Sequence, residues 1–179
     1  MLIVFTGSAL KAQDQEMMKK WMEYSTPSEV HKQMSKIAGN WKYTSKMWMA
    51  PGQEPMSSDG SANFETIYGG RYLQAKVSGS MMGMPFEGTA LSGYNNATKK
   101  YFMTWIDNMG TGLMMLEGTR DAGSGVITFT GSMFDPMSGK NCTIRQVEKM
   151  EGDNKMIMEM YSTKEGETEN KDMEIVYTR

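Results

Sequence analysis

Four carboxylates, Glu87, Asp107, Glu117 and Glu159, lie in or beside apolar runs of β-like sequence. Burial there would raise a carboxyl pKa and prepare the group for general acid or base work. Alternation decides which neighbours share a face with each acid: Asp107 falls with Tyr101, Met103 and Trp105, and Glu87 with Thr89 and Leu91. The competing reading is a solvent-facing acid, or one paired with an arginine such as Arg71 or Arg145. Nucleophilic catalysis needs a base beside the nucleophile, and the chain has one histidine, His31, and one cysteine, Cys142, far apart in sequence. Zinc sites draw mainly on these two scarce types, so no metal site is expected. A haem ligand would have to be His31, on a helix, with Met or Tyr ligation as the remaining option. Gly110-Thr111-Gly112 shares two glycines with dinucleotide loops but lacks the third and leads into a strand, so it is read as a turn and no cofactor is expected.

Methionine supplies a different chemistry. The chain contains 22 Met, and Met47/Met49, Met82/Met84, Met114/Met115, Met156/Met158/Met160 and Met173 recur on strand-like runs, several at i, i+2, where each set projects from one face. Thioether side chains are flexible and polarizable and pack well on aromatic faces, so an interior of Met, Trp and Tyr suits an irregular apolar ligand. The candidate ligand-binding set is Tyr43, Arg71, Met84, Phe86, Met103, Trp105 and Asp107. Two other readings stand beside it: a filled core in which Met replaces Leu, and a thioether Cu(I) site built from Met pairs.

These residues are positioned by a chain that is punctuated as a β-meander. At 179 residues it fits one domain. Nineteen basic and 21 acidic residues are interspersed, which leaves no basic stripe for nucleic acid or a membrane surface. The single cysteine excludes an intrachain disulfide. Residues 1–13 combine an apolar run, Leu2 to Phe5, with small residues and a polar break, and read as the remnant of a secretory signal cleaved near Ala12 or Gln13, placing the mature chain in the periplasm or outside the cell. The alternatives for this stretch are a disordered tail or an extra strand. Residues 14–179 then form the domain.

Asp14 to Tyr24 reads as a short amphipathic helix with Met17, Met18, Trp21 and Met22 on one side. Thr26-Pro27-Ser28-Glu29 reads as a capping box opening a second helix, whose Val30, Met34 and Ile37 share a face that should cover a hydrophobic opening; Gly39 suits its end. His31 is expected to be partly exposed there.

About ten strand-like runs follow: Trp41–Met49, Ala62–Tyr68, Tyr72–Ser80, Phe86–Tyr94, Tyr101–Asp107, Leu113–Thr119, Val126–Met133, Cys142–Met150, Lys155–Ser162 and Met173–Thr178. The breaks between them, Gly69-Gly70, Asn95-Asn96, Gly123-Ser124-Gly125 and Gly152-Asp153-Asn154 among them, are turn chemistry. Short connections make the strands antiparallel neighbours, and closure would remove their exposed edges. The expected fold is therefore mainly β, an antiparallel up-and-down β-barrel of about ten strands with one or two N-terminal helices, in preference to a sandwich. Met81 to Gly112 should be a central hairpin whose outer loops, MMGMP and NMGTG, approach one rim and frame an open mouth.

Gly39-Asn40-Trp41, after a helix and opening the first strand of a meander, resembles the Gly-x-Trp start of lipocalins and related calycin barrels. That resemblance implies a Trp41 packed at the closed end beside a basic residue of a late strand, Arg179 first and Arg145 second. The blocks Tyr-Ser-Thr-Pro (24–27), Met-Trp-Met-Ala-Pro-Gly (47–52), Gly-Gly-Arg-Tyr (69–72), Met-Gly-Met-Pro-Phe-Glu-Gly (82–88), Thr-Trp-Ile-Asp-Asn-Met-Gly-Thr-Gly (104–112), Asp-Pro-Met-Ser-Gly-Lys (135–140) and Met-Glu-Met-Tyr (158–161) resemble the bacterial Domain of Unknown Function 1579 family from about Trp21 to Arg179. The resemblance implies a calycin-like barrel and export, and carries over no catalytic residue. The functional expectation is an exported, non-catalytic barrel binding a small apolar molecule. The alternatives are a carboxylate enzyme using Asp107 or Glu87, an interaction scaffold, and a Cu(I) binder.

Overall fold

The computed structural model describes residues 6–179, with side chains from residue 11 onward. The apolar run Leu2 to Phe5, on which the signal reading leans, lies outside the described residues. Two helices, α1 (Thr6–Ser25) and α2 (Glu29–Ser35), precede ten strands: β1 (Gly39–Met47), β2 (Met56–Ile67), β3 (Tyr72–Met81), β4 (Met84–Asn95), β5 (Lys100–Asp107), β6 (Met114–Arg120), β7 (Ile127–Asp135), β8 (Lys140–Met150), β9 (Lys155–Lys164) and β10 (Asn170–Thr178). Each strand pairs antiparallel with its sequence neighbours, and β1 pairs with β10 to close the barrel. The closing register sets Tyr43 opposite Tyr177 and Met47 opposite Met173.

Alternation explains the burial. On β1, Trp41 and Tyr43 are buried while Lys42 and Thr44 face water; on β3, Leu73, Ala75 and Val77 are buried in the same alternating way. The inward side chains form two buried clusters. One gathers Trp41, Tyr43, Ala62, Val77, Met156 and Tyr177; the other gathers Tyr101, Met103, Leu116, Phe129 and Ile144, and Ala90 and Trp105 pack against both.

The main departure from the sequence reading is β2, which begins at Met56 rather than Ala62. Its first residues, Ser57-Ser58-Asp59-Gly60-Ser61, are poor strand formers, yet each pairs with β1. Tertiary contact supplies the reason at Gly60: a Cβ there would lie 2.4 Å from the Tyr43 ring and hydroxyl. Only a residue without a side chain lets Tyr43 lie flat against this wall.

The helices also differ in detail. α2 begins at Glu29 with Ser28 as its N-cap, two residues later than the Thr26 cap suggested by the capping pattern. The reciprocal partner is His31, whose Nδ1 accepts from the Ser28 N–H at 3.0 Å. His31 is not partly exposed: it is 6% exposed, with its ring edge-on to Tyr94. Burial lowers its pKa, and nearby Arg71 acts in the same direction, against the opposing backbone contact at Tyr94. α1 presents Met17, Met18, Trp21 and Met22 to solvent rather than to the barrel wall. Its C-terminal end is held to the barrel by polar side chains, because its last carbonyls lack intrahelical partners. Arg71 Nη2 donates to Ser25 O (2.7 Å), and Asn96 Nδ2 donates to Glu23, Tyr24 and Thr26 carbonyls at 3.2, 3.2 and 2.8 Å. Among the described residues no helix is long and apolar enough to cross a membrane.

Candidate functional site

The barrel encloses a cavity of about 670 Å³. Ten strands make a wider barrel than eight, and several inward positions carry glycine where a side chain from the next strand lies across them. A Cβ on Gly88 would meet Trp105 at 2.3 Å, and one on Gly118 or Gly131 would meet Phe129 or Leu116 at 2.7 and 2.6 Å. Rings lying flat on the wall leave the axis open.

At one end the cavity is capped by Met34 and Ile37, from α2 and the turn that follows it. Beyond it, Trp41 is 2% exposed and donates from Nε1 to Ile37 O at 2.8 Å. The Arg179 guanidinium stands 4.3 Å from the Trp41 ring centre and donates to Ala38 O, Lys36 O and Asp153 O at 2.9, 3.0 and 2.8 Å. Arg145 is elsewhere, over the Tyr161 ring at 3.9 Å and bonded to Glu169. The other end carries the Met81–Met84 turn and the loop after Asp107. There Met82 and Gly83 line the cavity while Met82 is 65% exposed, so the cavity reaches the surface beside them.

Of the sequence candidates, Tyr43, Phe86, Met103, Trp105 and Asp107 line this cavity. Phe86 and Trp105 stack with centroids 6.1 Å apart. Trp105 Nε1 donates to Asp107 Oδ2 at 2.7 Å, and the Met109 N–H donates to Asp107 Oδ1 at 2.9 Å, which fixes that carboxylate. Two candidates do not belong. Met84 is exposed at the start of β4, and Arg71 sits at the helical end, holding α1 through Ser25 and donating to Tyr68 O. Glu87 and Glu117 are exposed outside the barrel, the latter paired with Lys100 at 2.9 Å. Glu159 is also on the outer face, bonded by Lys171 at 2.6 Å and by the Tyr161 hydroxyl at 3.0 Å. Their faces follow from cross-strand geometry: Gly88, not Glu87, sits opposite Asp107.

Methionine divides the same way. Met47, Met114, Met156, Met158, Met160 and Met173 line the cavity, whereas Met49, Met84 and Met115 are exposed. Met114 and Met115 are sequential on β6 and so point to opposite faces. The pair Met82/Met84 does not share a strand face, because Met82 is in the β3–β4 turn with φ 54°.

Gln146 and Glu148 of β8, which the candidate set lacks, also line the cavity, as do serines such as Ser45 and Ser92. Gln146 is 2% exposed, and its Nε2 donates to Glu148 Oε1 at 2.8 Å. Alternation from Cys142 and Ile144 carries the signal that places them inward, since all four share one face. Burial raises the Glu148 carboxyl pKa, with the Gln146 hydrogen bond opposing that shift. Tyr177, against Tyr43 at 5.7 Å between centroids, is also held from ionising, first by burial and then by the Glu148 and Tyr43 charges. Cys142 is buried and free, and desolvation raises its pKa, so it is a packing residue and a poor nucleophile. Among the described residues no three His, Cys, Asp or Glu side chains gather as a metal-binding group. His31 does not line this cavity.

No curated protein matches the chain in sequence. Among solved structures it is similar to Rv2717c from M. tuberculosis, at 14% identity and TM-score 0.63, over 86% of this chain and 99% of that one. This likeness shows a shared fold. A redesigned β-barrel matches at 13% identity and TM-score 0.41, over 81% of this chain and 92% of that one. The family model described as protein of unknown function (DUF1579) matches residues 26–179, and the chain belongs to that family.

Proposed function

We propose that this protein is an exported barrel that binds one small, mainly apolar molecule in its interior and catalyses no reaction on it. The observation that carries the reading is the cavity of about 670 Å³. That volume is in the range of small-molecule pockets. Its lining is dominated by Met, Trp, Tyr and Phe, with a few polar groups to orient a ligand. The methionines there can repack around an irregular apolar shape. Export is supported by the composition of residues 1–13. Cleavage near Gln13 would leave the second half of α1 and the whole barrel in the mature chain.

The test is native mass spectrometry of protein purified from its own host, followed by denaturation. The expected result is a bound organic mass released on unfolding. Bare protein that also fails to take up a neutral apolar fluorophore would overturn the binding reading. An intact residue 1 on protein recovered from the cytoplasm would overturn the export reading.

A further inference from the structure

The lining of the cavity has a charge asymmetry. Its charged residues are two acids, Asp107 toward the mouth and Glu148 in the interior, and among the described lining residues there is no Lys, Arg or His. Resting on the ligand-binding reading above, we propose that the ligand is an apolar amine, its ammonium group seated at Glu148 on the Tyr177 side of the cavity and its apolar body along the methionine-lined axis.

Three features support this assignment. First, Glu148 has Gln146 as its hydrogen-bond partner, through one oxygen. Opposite it on the neighbouring strands are Ile127 of β7 and Met158 of β9, which offer no cation. A carboxyl taken from water without a countercharge is costly, and an incoming ammonium removes that cost. Second, aromatic rings line the same cavity as Glu148. Tyr177 lies 5.7 Å from Tyr43 and 5.8 Å from Phe64 between centroids, and aromatic faces attract cations once water is excluded. Third, the same charges work against other ligands. A fatty acid would add a further acidic group to a cavity that already holds Glu148 and Asp107 and has no basic group in its described lining to receive it, which disfavours the anionic ligand by like-charge contact. Burial raises the Glu148 carboxyl pKa. An ammonium group stabilises the ionised form, and the displaced proton leaves to solvent.

The experiment is isothermal titration of the full chain with decylamine, decan-1-ol and decanoic acid at neutral pH. The amine is expected to bind at least about tenfold tighter than the alcohol, as buried charge pairs support, with the acid weakest. Glu148→Gln should bring amine and alcohol to similar affinity, while Glu159→Gln, an outer-face control, keeps the preference. Equal binding of amine and alcohol by the unmodified protein overturns the amine assignment and leaves the cavity reading standing. Binding of none of the three overturns both. The unmodified protein's ranking needs no variant to fold, and an amine preference that persists in folded Glu148→Gln also overturns the assignment.

Discussion

Replacing Gly88 by alanine tests whether the glycines lining the barrel exist to let rings lie flat. The added Cβ would stand 2.3 Å from Trp105 Cζ2 and 2.4 Å from Cη2. Normal carbon contacts begin near 3.5 Å, so the indole must retreat by roughly 1.2 Å. It cannot do so freely, because its Nε1 is tied to Asp107 at 2.7 Å and its face is stacked on Phe86. Overpacking of this kind costs roughly 1–3 kcal/mol. The alanine also removes freedom from the unfolded chain, worth about 0.4–1 kcal/mol in the opposite direction, since Gly88 is not a left-handed position. The net expected loss is about 1–2 kcal/mol, read as a lower urea midpoint at unchanged slope. In a Trp105→Leu background the clash is gone, and the same alanine should be neutral or slightly stabilising. The sign change is the signature. If Gly88→Ala costs the same in both backgrounds to within about 0.5 kcal/mol, the two residues are uncoupled and the account is wrong.

Two further outcomes follow from the helical end of the barrel. His31 has a lowered pKa, so below its ordinary value of 6.5 the unfolded chain binds more protons than the folded one and stability falls with pH. The urea midpoint should drop as pH is lowered from 8 through about 6.5 toward 5, and His31→Gln, which suits the N3 position of a capping box, should flatten that window; an unchanged slope would refute the linkage. Arg179→Ala removes the cation over Trp41 and the donors to Ala38, Lys36 and Asp153. It should cost about 1–2 kcal/mol, discounted because the guanidinium is exposed, and should increase quenching of Trp41 fluorescence; a loss below about 0.3 kcal/mol would show that the end is held by other contacts.

Much of the barrel could be read from the order of residues, because alternation and turn chemistry are local. Trp41, Tyr43, Leu73 and Val77 alternate with polar neighbours, and glycine and asparagine stand where the chain reverses, so strand existence, antiparallel order and the inward face of Tyr101, Met103, Trp105 and Asp107 follow from period two. The failures occur where a residue's role depends on a partner far along the chain. Serines and glycine at the start of β2 look like a loop until Tyr43 is laid across Gly60. Arg71 looks like a candidate for binding a ligand until the Ser25 carbonyl of α1 is found beside it. His31 looks exposed until Tyr94 arrives from β4. Glu148 is placed inward by alternation alone, but its isolation from any cation is set by what β7, β9 and β10 bring around it. Sequence determined the strands and their faces through local steric and hydrophobic rules; only closure of the barrel decided which inward residues pack together and which border open space, because that depends on the summed sizes of side chains from all ten strands.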